Sequence, residues 1–307
     1  MNSSSDESRE NPLTPQSGDG TAEMLAEGTA LSSAPAEAAS QEPFAPVVSE
    51  LQIVSPEIVP PAPLPDPAWN GWDIVRLICI SIVALIVCVF VALFVAKRWI
   101  YPHMDLGGIS RIPLVVVAGQ CLAYFLVLAY MYFLVTRERG RPEFWAAIHW
   151  NWPSNVGVYL LAGFALSLAL QVLAHFLPIP KDLPIDSYFR TPAEAWALGL
   201  LSMTLAPLME ELFFRGFLYP VLARGIGVPV AIFVTALGFA AMHGDQLMFS
   251  WGPVLVIFLV GLVLTAVRAE KNSVAACVLM HFAYNGTITV AMFIGTDGFR
   301  HLEKLNQ

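Results

Sequence analysis

Residues 195–222 read AWALGLLSMTLAPLMEELFFRGFLYPVL. Apart from Glu210, Glu211 and Arg215 the run is almost wholly apolar and long enough to cross a membrane, broken mainly by Pro207 and Pro220. A charge at the centre of a transmembrane helix costs roughly 2.5–3.5 kcal/mol on insertion scales. Two carboxylates and a guanidinium in such a place need partners, and the rest of the chain has to supply them.

Composition puts the whole chain in the same solvent. It is 56 % hydrophobic and 13 % charged, with a mean hydropathy of +0.63. Soluble domains carry about 25 % charged residues, so this is an integral membrane protein. The net charge of −8 belongs to one end: residues 1–70 hold eleven acids and a single base, Arg9, so the remainder is slightly positive. Nucleic acid is excluded as a partner on that balance. Cys79, Cys88, Cys121 and Cys277 sit in apolar runs without a CxxC pair and read as small hydrophobes.

Residues 1–70, rich in Ser, Ala, Glu and Pro, bury too little apolar surface to offset ordering entropy. They read as a disordered acidic tail ending in a stiff proline-rich linker around Pro60–Pro65. Apolar segments follow at 72–96, 112–135, 155–177, 194–222, 228–244, 253–268 and 273–294. The expected fold is all-α: a polytopic helical membrane protein of about 7–8 transmembrane helices, the eighth being a short or re-entrant segment between Pro142 and Pro153. Pro142–Trp152, aromatic and amphipathic, suits a helix lying in the membrane interface. The chain divides into the tail 1–70, N-terminal membrane helices 71–190, a polar-bearing membrane core 191–296 and a short C-terminal tail 297–307.

Orientation is undecided. With seven spans, Arg137, Arg139, Arg141, Arg224, Arg268 and Lys271 lie on one side. Lys97, Arg98, Arg111, Lys181, Arg190, Arg300 and Lys304 lie on the other, without the asymmetry the positive-inside rule needs. No basic, apolar signal-peptide start and no eukaryotic sorting signal is visible, so the expected location is a bacterial plasma membrane.

Three polar clusters stand in the core: Glu210, Glu211 and Arg215; His243, four residues after Phe239; and His281 with Asn285. Glu211 and Arg215 are four apart and meet on one helix face. Glu210 points about 100° away from Glu211 and lacks that partner. The turn between the fourth and fifth spans falls near Gly225–Gly227. Glu210 lies 16 residues before Ile226 and His243 lies 17 after it, so both stand roughly 25 Å from the turn on antiparallel helices. A carboxylate beside an imidazole can hold and activate a water. His281 and Asn285, also four apart, offer donors to a developing oxyanion. Pro207 frees the carbonyl of Met203 and is expected to kink the helix beside Glu210.

Glu-Glu-x-x-x-Arg, then Phe-x-x-x-His, then His-x-x-x-Asn on successive hydrophobic segments resembles the CAAX-protease and bacteriocin-processing family, also called Abi. Its best-known members are CAAX prenyl endopeptidases, which remove the last three residues of prenylated proteins within the membrane. The resemblance covers Glu210 to Asn285. It implies Glu210 as the base that activates water, assisted by His243. His281 and Asn285 would bind the oxyanion, and Glu211 with Arg215 would be the supporting pair. The substrate it implies is a membrane-associated protein or lipidated peptide presented in the bilayer.

The family has also been described as metal-dependent, in which case Glu210, His243 and His281 would hold zinc. No His-Glu-x-x-His spacing imposes that reading. Asn285, a poor zinc ligand and a good amide donor, favours the glutamate mechanism without a cofactor. Two other classes stay open. One is a non-catalytic scaffold or immunity protein whose polar clusters only join helices. The other is a transporter or proton relay, although no repeated half or paired broken helices are visible.

Overall fold

The computed structural model describes residues 67–180 and 184–306. The expected disordered tail lies, up to residue 66, outside the described residues. Every regular element among the described residues is helical.

Helix α1, Gly71–Val95, opens on a capping box in which Asn70 and Asp73 satisfy each other's backbone N–H groups, and it continues through a π-helical turn, Ala96–Ile100. Helix α2, Pro113–Phe133, starts on a proline whose missing N–H costs nothing there, and also ends in a π-helical turn, Leu134–Glu138. Helix α3 is Val156–His175, with Asn155 as its cap. Helix α4, Pro192–Met203, is capped reciprocally by Thr191 and Glu194.

The charged stretch that follows is one long rod with two irregularities. Helix α5, Leu205–Glu211, is separated from α4 by Thr204 at φ −118° and ψ −82°. The break falls where Pro207 cannot donate to the Met203 carbonyl, as the sequence leads one to expect. A π-helical segment, Leu212–Leu218, then leads into helix α6, Tyr219–Ile226. Pro220 explains the second irregularity: its ring would clash with the carbonyl of Gly216 in an unbroken α-helix. Gly227, at φ +80°, turns the chain into helix α7, Val228–Met242. Helices α8, Trp251–Lys271, and α9, Val274–Gly295, form the last hairpin, with Asn272 in the left-handed region and Ser273 capping α9.

Among the described residues six stretches are long and apolar enough to cross a membrane: Gly71–Ile100, Pro113–Glu138, Val156–His175, Pro192–Ile226, Trp251–Lys271 and Val274–Gly295. Helix α7 is apolar but has only 15 residues, about 22 Å of rise against a hydrocarbon core of about 30 Å. The protein is a multi-pass membrane protein. Phe90, Phe94, Phe125, Leu161 and Val172 are exposed on the outer faces of the helices, where lipid replaces water. Trp72, Trp99 and Trp251, near helix ends, are exposed in the same way.

Between Pro142 and Pro153 the chain makes a single helical turn, Phe144–Ala147, too short to be a further span. Phe144 and Ile148 are buried while Trp145 and Trp152 stay exposed. These two buried anchors join the short segment to the apolar core.

Helix α1 packs mainly on α2, and α9 is the central helix, touching α3, α4, α5 and α8. Two apolar clusters hold the bundle. The first joins α1, α2 and the charged rod through Leu77, Met131, Met209, Leu212 and Phe217. The second joins α3, α7, α8 and α9 through Leu170, Phe239, Leu264 and Met280, with Phe214 from the rod. The rod is therefore gripped on two sides, which holds its carboxylates between the clusters.

Candidate active site

Glu211 and Arg215 are fully buried and joined at 2.8 Å. The remaining Arg215 donors go to helix α8: Nε to the Thr265 hydroxyl at 3.2 Å and Nη2 to the Gly261 carbonyl at 2.9 Å. The guanidinium also lies 4.8 Å from the centre of the Phe239 ring. Neither Thr265 nor Gly261 carries any signal in the sequence, since a threonine and a glycine are ordinary in a membrane helix. The buried charge is thus neutralised from its own rod and hydrogen-bonded from α8, which is what makes its burial tolerable.

Glu211 Oε1 serves a second partner, His281 Nδ1 on α9, at 2.8 Å. Facing a carboxylate, Nδ1 carries the ring's hydrogen, so Nε2 of the neutral imidazole is a lone pair. That Nε2 stands 3.8 Å from Glu210 Oε2. His243, the C-cap of α7, is arranged alike. Its Nδ1 faces the Phe239 carbonyl at 2.9 Å, and because a carbonyl only accepts, Nδ1 donates. Its Nε2 stands 3.8 Å from the other Glu210 oxygen, Oε1.

Glu210 therefore lies between two imidazoles, one on each oxygen, at separations too long for direct hydrogen bonds. Its side chain is 15 % exposed and that of His243 is 19 %, whereas Glu211 and Arg215 are sealed. The two adjacent glutamates differ in their surroundings: Glu211 is engaged by Arg215 and His281, and Glu210 keeps part of its side chain exposed.

Asn285, one turn beyond His281, donates its Nδ2 to the Ser202 carbonyl at 2.6 Å. It pins α9 to the end of α4, one residue before the last of that helix. Five of the six residues singled out from the sequence, Glu210, Glu211, Arg215, His243 and His281, meet in one cluster. Asn285 lies beside it with part of its amide already engaged.

The trio Glu210, His243 and His281 meets pairwise through Glu210. Among the described residues no group of three His, Cys, Asp or Glu side chains is arranged to hold a metal ion.

Arg268, one of the basic residues counted on one side of the membrane, lies in the last turn of α8. In the structure it is 3 % exposed. It donates to the Arg215 carbonyl at 3.0 Å and to Asn272 Oδ1 at 2.6 Å. Arg139, counted likewise, is bound to buried Asp73 at 2.6 Å.

Segment 192–287 matches the family model described as type II CAAX prenyl endopeptidase Rce1-like. A comparison with curated proteins and one with solved structures each return no match. The matched segment spans about a third of the chain and contains every residue of the cluster described above. The chain thus carries an Rce1-like domain over residues 192–287.

Proposed function

We propose that this protein is an intramembrane endopeptidase that cleaves membrane-associated proteins, prenylated CAAX-type proteins among them, with Glu210 as the base that activates water. The observation that carries the reading is Glu210 flanked at 3.8 Å by His243 Nε2 and by His281 Nε2, while its neighbour Glu211 is occupied by Arg215. A water held against Glu210 accepts no proton there; it gives one to the carboxylate as its oxygen attacks the peptide carbon. The lone pair of His243 Nε2 takes the water's second hydrogen bond and fixes its angle of attack.

The electron pair displaced from the carbonyl gathers on its oxygen, and the free Asn285 amide hydrogen is offered to it. His281 donates there only as an imidazolium, with Glu211 at 2.8 Å as its counter-charge. On collapse the C–N bond breaks and the leaving nitrogen takes the proton held by Glu210. The substrate proposed is a lipidated or otherwise membrane-anchored polypeptide, and the proposed location is a bacterial plasma membrane.

A metal-dependent version of the same protease and a non-cleaving scaffold are the rivals, and one experiment separates them. Purified protein in detergent is offered fluorogenic peptides with and without a lipidated cysteine near the C-terminus, in the presence and absence of a zinc chelator. Cleavage indifferent to the chelator supports the glutamate reading. Cleavage abolished by the chelator and restored by zinc replaces it with the metal reading. Peptides left whole by folded protein, with binding intact, favour the scaffold.

A further inference from the structure

Gly261, Thr265 and Arg268 stand at i, i+4 and i+7 of α8 and therefore share one face of that helix. All three grip Arg215. Gly261 and Thr265 take its guanidinium, and Arg268 takes its main-chain oxygen through Nε at 3.0 Å. The side chain and the backbone of Arg215 are thus fixed by the same face of one helix.

Arg215 in turn fixes Glu211. Arg215 Nη1 and His281 Nδ1 both meet Glu211 Oε1 at 2.8 Å. Among the described residues the other oxygen, Oε2, has no hydrogen-bond partner. The carboxylate is therefore held by one oxygen only, and a movement of Arg215 is passed through it to the His281 ring. That ring presents Nε2 to Glu210 at 3.8 Å.

Arg268 has an anchor of its own. Its Nη1 donates to Asn272 Oδ1 at 2.6 Å, in the turn between α8 and α9. Asn272 occupies the left-handed region at φ +48°, which asparagine tolerates better than most residues with a Cβ. One residue type thus serves the backbone of the turn and accepts from the guanidinium.

We propose that Arg268 is a positioning residue for the Glu211–His281 pair, and that Asn272 is the anchor that holds Arg268 in place. The turn between α8 and α9 thereby helps to set how His281 meets Glu210, although neither Arg268 nor Asn272 touches the reacting atoms. The proposal rests on the reading of Glu210 as the base, and its test is built to separate the two.

Values of kcat, KM and the unfolding midpoint are measured on the same samples of wild type, Asn272→Gly, Asn272→Asp, Arg268→Lys, Lys271→Gln and Glu210→Gln. The substrate is a fluorogenic peptide ending in a lipidated cysteine and three further residues. Asn272→Gly keeps the left-handed turn, which glycine adopts without steric cost, and removes the acceptor of Arg268. Its midpoint should stay within about 4 °C of wild type. Its kcat should fall about tenfold or more, with KM within about threefold of wild type.

Asn272→Asp keeps an oxygen for Arg268 and should restore kcat to within about threefold of wild type. A general loosening of the turn would not be repaired in that way. Arg268→Lys keeps the charge without the fork that spans both acceptors, and should lose kcat as Asn272→Gly does. Lys271→Gln, at the exposed last residue of α8, should cleave as wild type does.

Glu210→Gln inactive with Asn272→Gly as fast as wild type would overturn the positioning role alone, as would equal losses in Asn272→Gly and Asn272→Asp. Glu210→Gln as fast as wild type, or no cleavage by wild type, would overturn the underlying reading and this proposal with it.

Discussion

Arg268 donates its Nε hydrogen to the main-chain oxygen of Arg215 at 3.0 Å. In the π-helical register that oxygen should receive the N–H of residue 220, which is a proline, while the Tyr219 N–H goes to Phe214. A side chain from α8 thus replaces a hydrogen bond that the rod cannot make for itself. Trp69 adds an outside donor two residues on, giving Nε1 to the Phe217 carbonyl at 2.9 Å while stacking on the Phe217 ring. The π-helical segment that carries Arg215 is held by distant partners as well as by its own ladder.

Arg268→Leu should therefore destabilise the protein by about 2 kcal/mol, the cost of leaving a buried carbonyl without a donor. Thermal unfolding of the purified protein in detergent reads this directly. An unchanged midpoint would mean that water replaces the guanidinium at no cost.

Glu211→Gln removes the negative partner of a fully buried arginine. The expected loss is about 3–5 kcal/mol, because a buried charge is then left uncompensated. Replacing both members, Glu211→Leu with Arg215→Met, should recover part of the stability but none of the activity, since His281 loses its orienting carboxylate. Chemical denaturation of the three proteins beside wild type decides it.

Gly163 on α3 faces α9 at the residue before His281. A Cβ there would run into the Met280 carbonyl oxygen and stand 2.9 Å from the Ala283 Cβ. Gly163→Ala should cost about 1–3 kcal/mol, as overpacking of a tight core does. Because α9 carries His281 and Asn285, catalysis should fall with stability. Wild-type values for both would show that α3 simply moves away.

His149, in the loop between α2 and α3, is held below the ordinary histidine value of 6.5, chiefly by burial and then by the Arg268 guanidinium. Its ring accepts from Asn272 at 3.1 Å. Protonation opposes the folded state, so stability is complete above pH 6.5 and falls as the pH drops towards the lower folded value. His149→Gln should flatten that part of the curve of unfolding midpoint against pH. An identical slope in the variant would remove His149 from the account.

The membrane architecture and most of the site were legible because charge inside apolar sequence is expensive and therefore conspicuous. Glu210, Glu211 and Arg215 stood out for that reason, and the spacing about Gly227 was enough to bring His243 beside Glu210. What stayed hidden was chemistry that looks ordinary in a membrane helix. Thr265 and Gly261 complete the Arg215 site without any charge or motif. The contact of Arg268 with the Arg215 carbonyl was hidden too, because a basic residue in the last turn of a helix is ordinary in sequence. Pro220 was visible as an interruption, but whether the chain would kink or change register depended on donors from α8 and from Trp69.

The most direct test of the central claim is the rate at which Glu210→Gln cleaves a lipidated peptide relative to wild type, with the unfolding midpoint taken on the same sample. The account predicts a loss of at least about 1,000-fold with the midpoint unchanged, since the group removed is the base itself and its neighbour Glu211 carries the structural contacts. Activity within about tenfold of wild type in a stably folded variant would contradict the assignment of Glu210 as the residue that activates water.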